Sequence, residues 1–117
     1  MIEVVPSQSP EAVHLILHGM LSHKDIHSIE PVLDELVKRE GDIKALVDVC
    51  DLKAAGPRAV MADLKLGTKY YNRIECLAIV GNKRWHRWLA NMARPFTLGR
   101  VKYFSEDDDA AWAWLHE

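Results

Sequence analysis

Residues 76–105 contain no aspartate and no glutamate. Residues 29–67 contain no serine, threonine or tyrosine, so no phosphate ester can form anywhere in that stretch. Cysteine is scarce too. Cys50 and Cys76 both lie in apolar runs, far apart in sequence and outside any CxxC spacing. They read as reduced, buried small hydrophobes rather than a redox or zinc pair, which suits a reducing, cytoplasmic setting. No run approaches the ~18 apolar residues of a membrane-spanning helix. The opening Met1-Ile2-Glu3-Val4-Val5-Pro6 lacks the basic flank and apolar core of a secretory signal. GxGxxG, P-loop and GxSxG patterns are all missing, and neither cysteine sits in a nucleophile motif, so nothing points to an enzyme or a bound cofactor.

What is present is unevenly distributed. The acid-free segment holds Lys83, Arg84, Arg87, Arg94, Arg100 and Lys102, with Trp85, His86 and Trp88 among them. The remainder carries nine basic residues against all seventeen acids, so a formal +6 segment sits beside a −8 remainder. A net charge of −2 exerts no global pull on nucleic acid, and any anionic partner would be read locally. At 117 residues, 49% hydrophobic and 27% charged, the chain is expected to form one domain over residues 1–117.

The pattern predicts β-β-α-β-α-β-α-β-α. Ile2-Glu3-Val4-Val5 and residues 12–18 read as a strand pair broken by Pro6 and Pro10 and stopped at Gly19. Ser22, with Asp25 three residues on, opens a helix carrying Ile26, Ile29, Leu33, Leu36 and Val37. Pro31 should kink or restart that helix near Glu30, and Gly41 should close it. Residues 45–50 and 74–80 are nearly continuous apolar runs, as expected for strands covered on both faces. Ala54-Ala55-Gly56 reads as a loop, and Pro57 opens a helix to about Tyr71. Asn82 is expected to cap a helix through Ala93, with Trp85, Trp88, Leu89 and Met92 packing on the sheet. Residues 101–104 form a last strand, and Ser105 caps an acidic helix start that continues through Trp112 and Leu115.

Four groups of residues could carry chemistry. Gly81, Asn82, Lys83, Arg84 and Arg87 form a strand-end loop and helix start, where backbone N–H groups favour an anion. Asp51, at another strand end, joins this candidate ligand site. Asp48 and Asp51 together could serve acid–base work if neighbours pushed their pKa values apart. His23 and His27 have i, i+4 spacing, but without the zinc-protease pattern they are expected to be surface groups rather than metal ligands. His14 and His18 should share a solvated strand face.

The matches Asp63-Leu64-Lys65-Leu66-Gly67, Tyr71-Asn72-Arg73-Ile74-Glu75, Ala78-Ile79-Val80-Gly81-Asn82-Lys83-Arg84-Trp85, Trp88-Leu89, Pro95-Phe96, Val101-Lys102-Tyr103-Phe104 and Ala113-Trp114-Leu115 resemble the SpoIIAA-like family. That family is grouped with STAS domains and, more distantly, with CRAL-TRIO lipid-exchange domains. The resemblance implies a (βα)n fold with no enzyme activity. It also implies a phosphorylation switch in the loop after the middle strand. The matching stretch, Val49-Cys50-Asp51-Leu52-Lys53-Ala54-Ala55-Gly56-Pro57, has no hydroxyl to carry it.

The expected fold is therefore α/β and STAS/SpoIIAA-like, with a five-stranded, mixed but mostly parallel sheet and about four helices. Helices following parallel strands in chain order would fall mainly on one face. The other apolar face then needs a shifted helix, a partner subunit or an apolar ligand. The expected function is a non-enzymatic binding or regulatory module acting through protein–protein contacts with a protein partner or as a homodimer. The alternative is a carrier or sensor of a lipid-like amphipathic ligand whose anionic head lies near Asn82, Lys83 and Arg84. Peripheral membrane contact through the basic helix is a further alternative, whereas nucleic acid is not expected.

Overall fold

The computed structural model describes residues 1–55, 72–94 and 99–117. The helix expected from Pro57 to Tyr71, and Pro95-Phe96, lie outside the described residues. Five strands form the main sheet: β1 (Ile2–Val5), β2 (Ala12–Leu17), β4 (Ile43–Asp48), β6 (Ile74–Gly81) and β7 (Arg100–Ser105). They lie in the order β1-β2-β4-β6-β7. Only β1 runs antiparallel to its neighbour, with Ile2 opposite Leu17 and Val5 opposite His14. The other three pairings are parallel, as the alternation of strands and helices predicted.

A second, two-stranded sheet pairs β3 (Gly19–Leu21) with β5 (Leu52–Ala55) in parallel. This sheet is not among the expected elements, since the strand over residues 12–18 was expected to end at Gly19 and residues 54–56 to form a loop. Gly19 instead adopts φ +64°, a value favouring glycine, and turns a corner into β3. Beyond Asp51 the chain likewise continues from β4 into β5, so β2 and β4 both extend past the main sheet.

Four helices are described: α1 (His23–Ser28), α2 (Glu30–Glu40), α3 (Arg84–Ala93) and α4 (Asp108–Leu115). The Ser22–Asp25 capping box opens α1, with Asp25 N–H on Ser22 Oγ at 3.2 Å and Ser22 N–H on Asp25 Oδ2 at 2.9 Å. Ile29 closes α1 and caps α2, and Pro31 sits at the start of α2 where its missing N–H costs nothing. The expected interruption near Glu30 is thus a restart. The cap expected at Ser105 lies two residues further on. Ser105 still pairs with Gly81 in the sheet, and Asp107 Oδ1 accepts the Ala110 N–H at 2.9 Å.

The alternation of each strand splits the core in two. On one face Val13, Leu15, Leu17, Ala45, Val49 and Ile79 pack with Ile26, Leu33, Leu36 and Ala90 of α1, α2 and α3. The second face carries Ala12, Leu46, Cys76, Ala78 and Val80. These are covered by Ala111, Trp112 and Leu115 of α4, all at most 3% exposed. Of the three covers the sequence left open, the structure uses a helix. Lys44 Nζ donates to the Leu115 carbonyl, and Trp114 lies 5.8 Å from Phe104.

Leu115→Ala should therefore cost about 2–5 kcal/mol in urea unfolding, the range for a fully buried leucine. A loss below about 1 kcal/mol would mean that α4 is not the working cover of the second face.

Candidate functional site

Strand β6 ends buried at Val80 and Gly81, and the chain emerges at exposed Asn82 and Lys83 before α3 begins. Lys83, not Asn82, occupies the cap position, and its side chain has no oxygen to accept from the first turn. The missing acceptor comes from inside the helix. His86 folds back so that its Nδ1 accepts the N–H groups of Asn82 at 3.1 Å and Lys83 at 3.2 Å. A ring nitrogen accepting two donors carries no proton, so the hydrogen is on Nε2. That N–H donates to the Leu52 carbonyl at 3.3 Å. His86 is 0% exposed, and Trp85 meets it edge-on at 4.4 Å.

Gly81 has a packing role here. A Cβ on it would lie 2.5 Å from His86 Cβ, closer than real contacts allow. The latch thus joins the end of β6, the start of α3 and the β5 corner. In the sequence His86 stands out only as one member of the basic segment. Helix-cap signatures are oxygen-bearing side chains, and an imidazole in the third helical position falls outside them.

The latch also sets the rotation of α3. With His86 and Ala90 buried and Leu89 partly so, a residue two places from His86 lies about 200° round the helix. Trp88 therefore points outward at 52% exposure, against the expectation that it packs on the sheet. Trp85, at the flank, does pack against the core. The Met92 side chain lies outside the described residues. Arg84, Arg87, Trp88 and Asn91 form the outward stripe. Arg87 stacks on the Tyr103 ring at 5.4 Å. Partial burial pushes the Tyr103 hydroxyl pKa up even though the Arg87 charge opposes the shift.

The acid-free segment is therefore not one patch. Arg100 lies over Trp114 at 5.3 Å and Lys102 over Phe104 at 5.3 Å, both on the α4 face. The loop brings Gly81, Asn82, Lys83, Arg84 and Arg87 together. Two of its N–H groups already bond to His86. Asp51 is engaged elsewhere: its carboxylate lies 3.7 Å from His18 Nδ1, and its carbonyl accepts the Gly19 N–H at 3.0 Å. His18 Nε2 meets Glu3 at 3.0 Å, so this histidine bridges two acids. His14 instead packs edge-on against Trp112 at 5.7 Å, so the two histidines do not share a solvated face.

Asp48 lines an open cleft of about 460 Å³ at the second face, with Cys50, Val80, Glu106, Asp107, Asp108 and Asp109. Asp48 Oδ1 accepts the Cys50 N–H at 2.9 Å. Burial, and then Asp48, push the Cys50 thiol up to about 12, so it is protonated and unreactive near neutrality. Desolvation of its carboxyl, followed by repulsion from Asp48, raises Asp108. Asp48 and Asp51 thus have separate partners and do not form the acid–base pair considered from sequence. Among the described residues no group of histidines, cysteines and acids is arranged to hold a metal ion.

His86→Ala leaves two N–H groups and the Leu52 carbonyl without their partner. It should lower stability by about 2–4 kcal/mol, with Gly81→Ala costing about 1–3 kcal/mol through overpacking. Urea denaturation measures both, and values near zero would remove the latch from the account. Asp48→Asn keeps the acceptor for Cys50 but removes the charge, so thiolate absorbance should show Cys50 titrating below its present value of about 12. The raised thiol also fixes a sign. Its stabilising contribution is complete below the ordinary value of 9.0 and is lost as pH climbs towards about 12. An alkaline unfolding series on wild type and Cys50→Ala should show the steeper decline in wild type.

The SpoIIAA-like family model matches residues 12–116. An uncharacterised protein of the DUF3478 family with a SpoIIAA-like fold, from Shewanella loihica PV-4, is 31% identical with a TM-score of 0.79, over 98% of this chain and 92% of that one. The anti-sigma factor antagonist SpoIIAA, in its unphosphorylated form, shares the fold at a TM-score of 0.60. It is 12% identical, over 99% of this chain and 96% of that one. No curated protein matches the sequence. The length of the family match and the 31% identity over nearly the whole chain lead to one conclusion: the chain belongs to the SpoIIAA-like family.

Proposed function

We propose that this chain is a non-enzymatic binding or regulatory module that works through contacts with another protein. The carrying observation is the outward face of α3. It presents two arginines and a tryptophan, residue types enriched where protein interfaces concentrate their binding energy. Among the described residues no carboxylate pairs with Arg84 or Arg87. SpoIIAA, whose fold this chain shares, is an anti-sigma factor antagonist, and that role is consistent with such a module. A phosphate-ester switch has no hydroxyl to use between residues 29 and 67, so phosphorylation of that stretch does not control binding here.

Two observations favour this reading over a carrier of an amphipathic ligand. Trp112, Ala111 and Leu115 already fill the second face, where an apolar tail would have lain. An anionic head near Asn82–Arg84 would have to compete with His86 for two of the loop donors. Native mass spectrometry of the tagged full chain, purified gently from its source cells, separates the two. The module reading predicts a complex with a second protein at fixed stoichiometry that can be rebuilt from purified components. A chain carrying a small amphipathic molecule and no protein would overturn it.

A further inference from the structure

The outward face of α3 has a charge and shape that specify what covers it. Outside α3, Arg39 donates to the Pro10 carbonyl, Lys44 to the Leu115 carbonyl, and Arg100 and Lys102 lie over Trp114 and Phe104. Among the described residues Arg84 and Arg87 face solvent with no carboxylate partner. Stacking on Tyr103 restricts the Arg87 guanidinium while leaving its N–H edge free, an arrangement suited to bidentate binding of a carboxylate. Trp88 lies beside them on the same stripe.

From this we infer that α3 docks an acidic segment of a partner protein, with Trp88 as the aromatic anchor and Arg84 and Arg87 pairing with its carboxylates. This rests on the reading of the chain as a protein-binding module. Three other occupants fit less well. A bilayer needs a continuous apolar helix face, but Trp85, Leu89 and Ala90 are turned into the core and, among the described side chains, Trp88 is the one large apolar group on this stripe. A nucleic acid rewards many phosphate contacts, but Arg100 and Lys102 lie on the opposite face of the sheet and the net charge is −2. A second copy could offer its own acids at residues 106–109, but joining α3 of one copy to that rim of the next is a head-to-tail contact between different surfaces. Such contacts grow into rings or filaments rather than a closed dimer.

The test places the photo-reactive residue benzoylphenylalanine at Asn91 of the full chain in its source cells and maps the cross-linked peptide by mass spectrometry. The expected product is an adduct with a net-acidic peptide of another protein. Arg84→Glu with Arg87→Glu should cut its yield at least ~10-fold, because charge reversal both breaks the pairs and repels the partner. Arg100→Glu with Lys102→Glu makes the same charge change on the far face and should leave the yield within about twofold. Trp88→Ala, which changes no charge, should lower it by about tenfold or more. Circular dichroism confirms that each variant folds.

Adducts with lipid, nucleic acid or a second copy would overturn the inference, as would a peptide that is not acidic or equal losses from both charge-reversal pairs. If the native complex forms but no adduct appears at Asn91, this face is wrong and the module reading stands. If no protein complex forms at all, the module reading fails first.

Discussion

The His86 ring lies between the end of β6, the first turn of α3 and the Leu52 carbonyl of β5, and the candidate site depends on that placement. Three weak bonds made by one buried ring contribute about 1 kcal/mol each in net terms. Their geometric effect is larger. Bonding to the two N–H groups that precede the helix, the ring holds the strand-end loop closed and fixes which side of α3 faces the sheet. Gly81 is part of the same device, because any side chain there would occupy the space of the His86 Cβ.

That rotation changes what the basic segment can do. A strand-end loop followed by a helix often offers its backbone N–H groups to an anion. Here an internal imidazole accepts two of those donors, and the charge that remains belongs to side chains on the outer surface of α3. The other end of the segment follows the alternation of β7, which sends Arg100 and Lys102 to the α4 face. A stretch that is uniformly basic in sequence is thus divided between two surfaces by the sheet itself. The acids gather separately, where the first turn of α4 meets Asp48.

The architecture was largely legible because its signals are long-range periodicities. Continuous apolar runs gave β4 and β6, the Ser22–Asp25 pair gave the start of α1, and Pro31 gave the break before α2. Signals confined to two or three residues were harder to read. The β3–β5 sheet depends on a glycine that turns a corner where a stop was expected, and on Lys53-Ala54-Ala55, which have little strand preference of their own. Placement of the site residues was less legible still. The sequence put Asp51 with the 81–87 loop, yet its contacts are with His18 and Gly19. Trp88 was expected to pack on the sheet, and at 52% exposure it does not. One inward histidine shifts the apolar arc of a ten-residue helix enough to turn a tryptophan out.

The account stands most directly on the protonation pattern of that one ring. A two-bond ¹H–¹⁵N correlation spectrum of the imidazoles, assigned with a His86→Asn variant, reads it in solution. The predicted result is a neutral ring with its proton on Nε2 and an unprotonated, hydrogen-bonded Nδ1. A ring protonated on Nδ1, or on both nitrogens, could not accept from Asn82 and Lys83 and would contradict the latch.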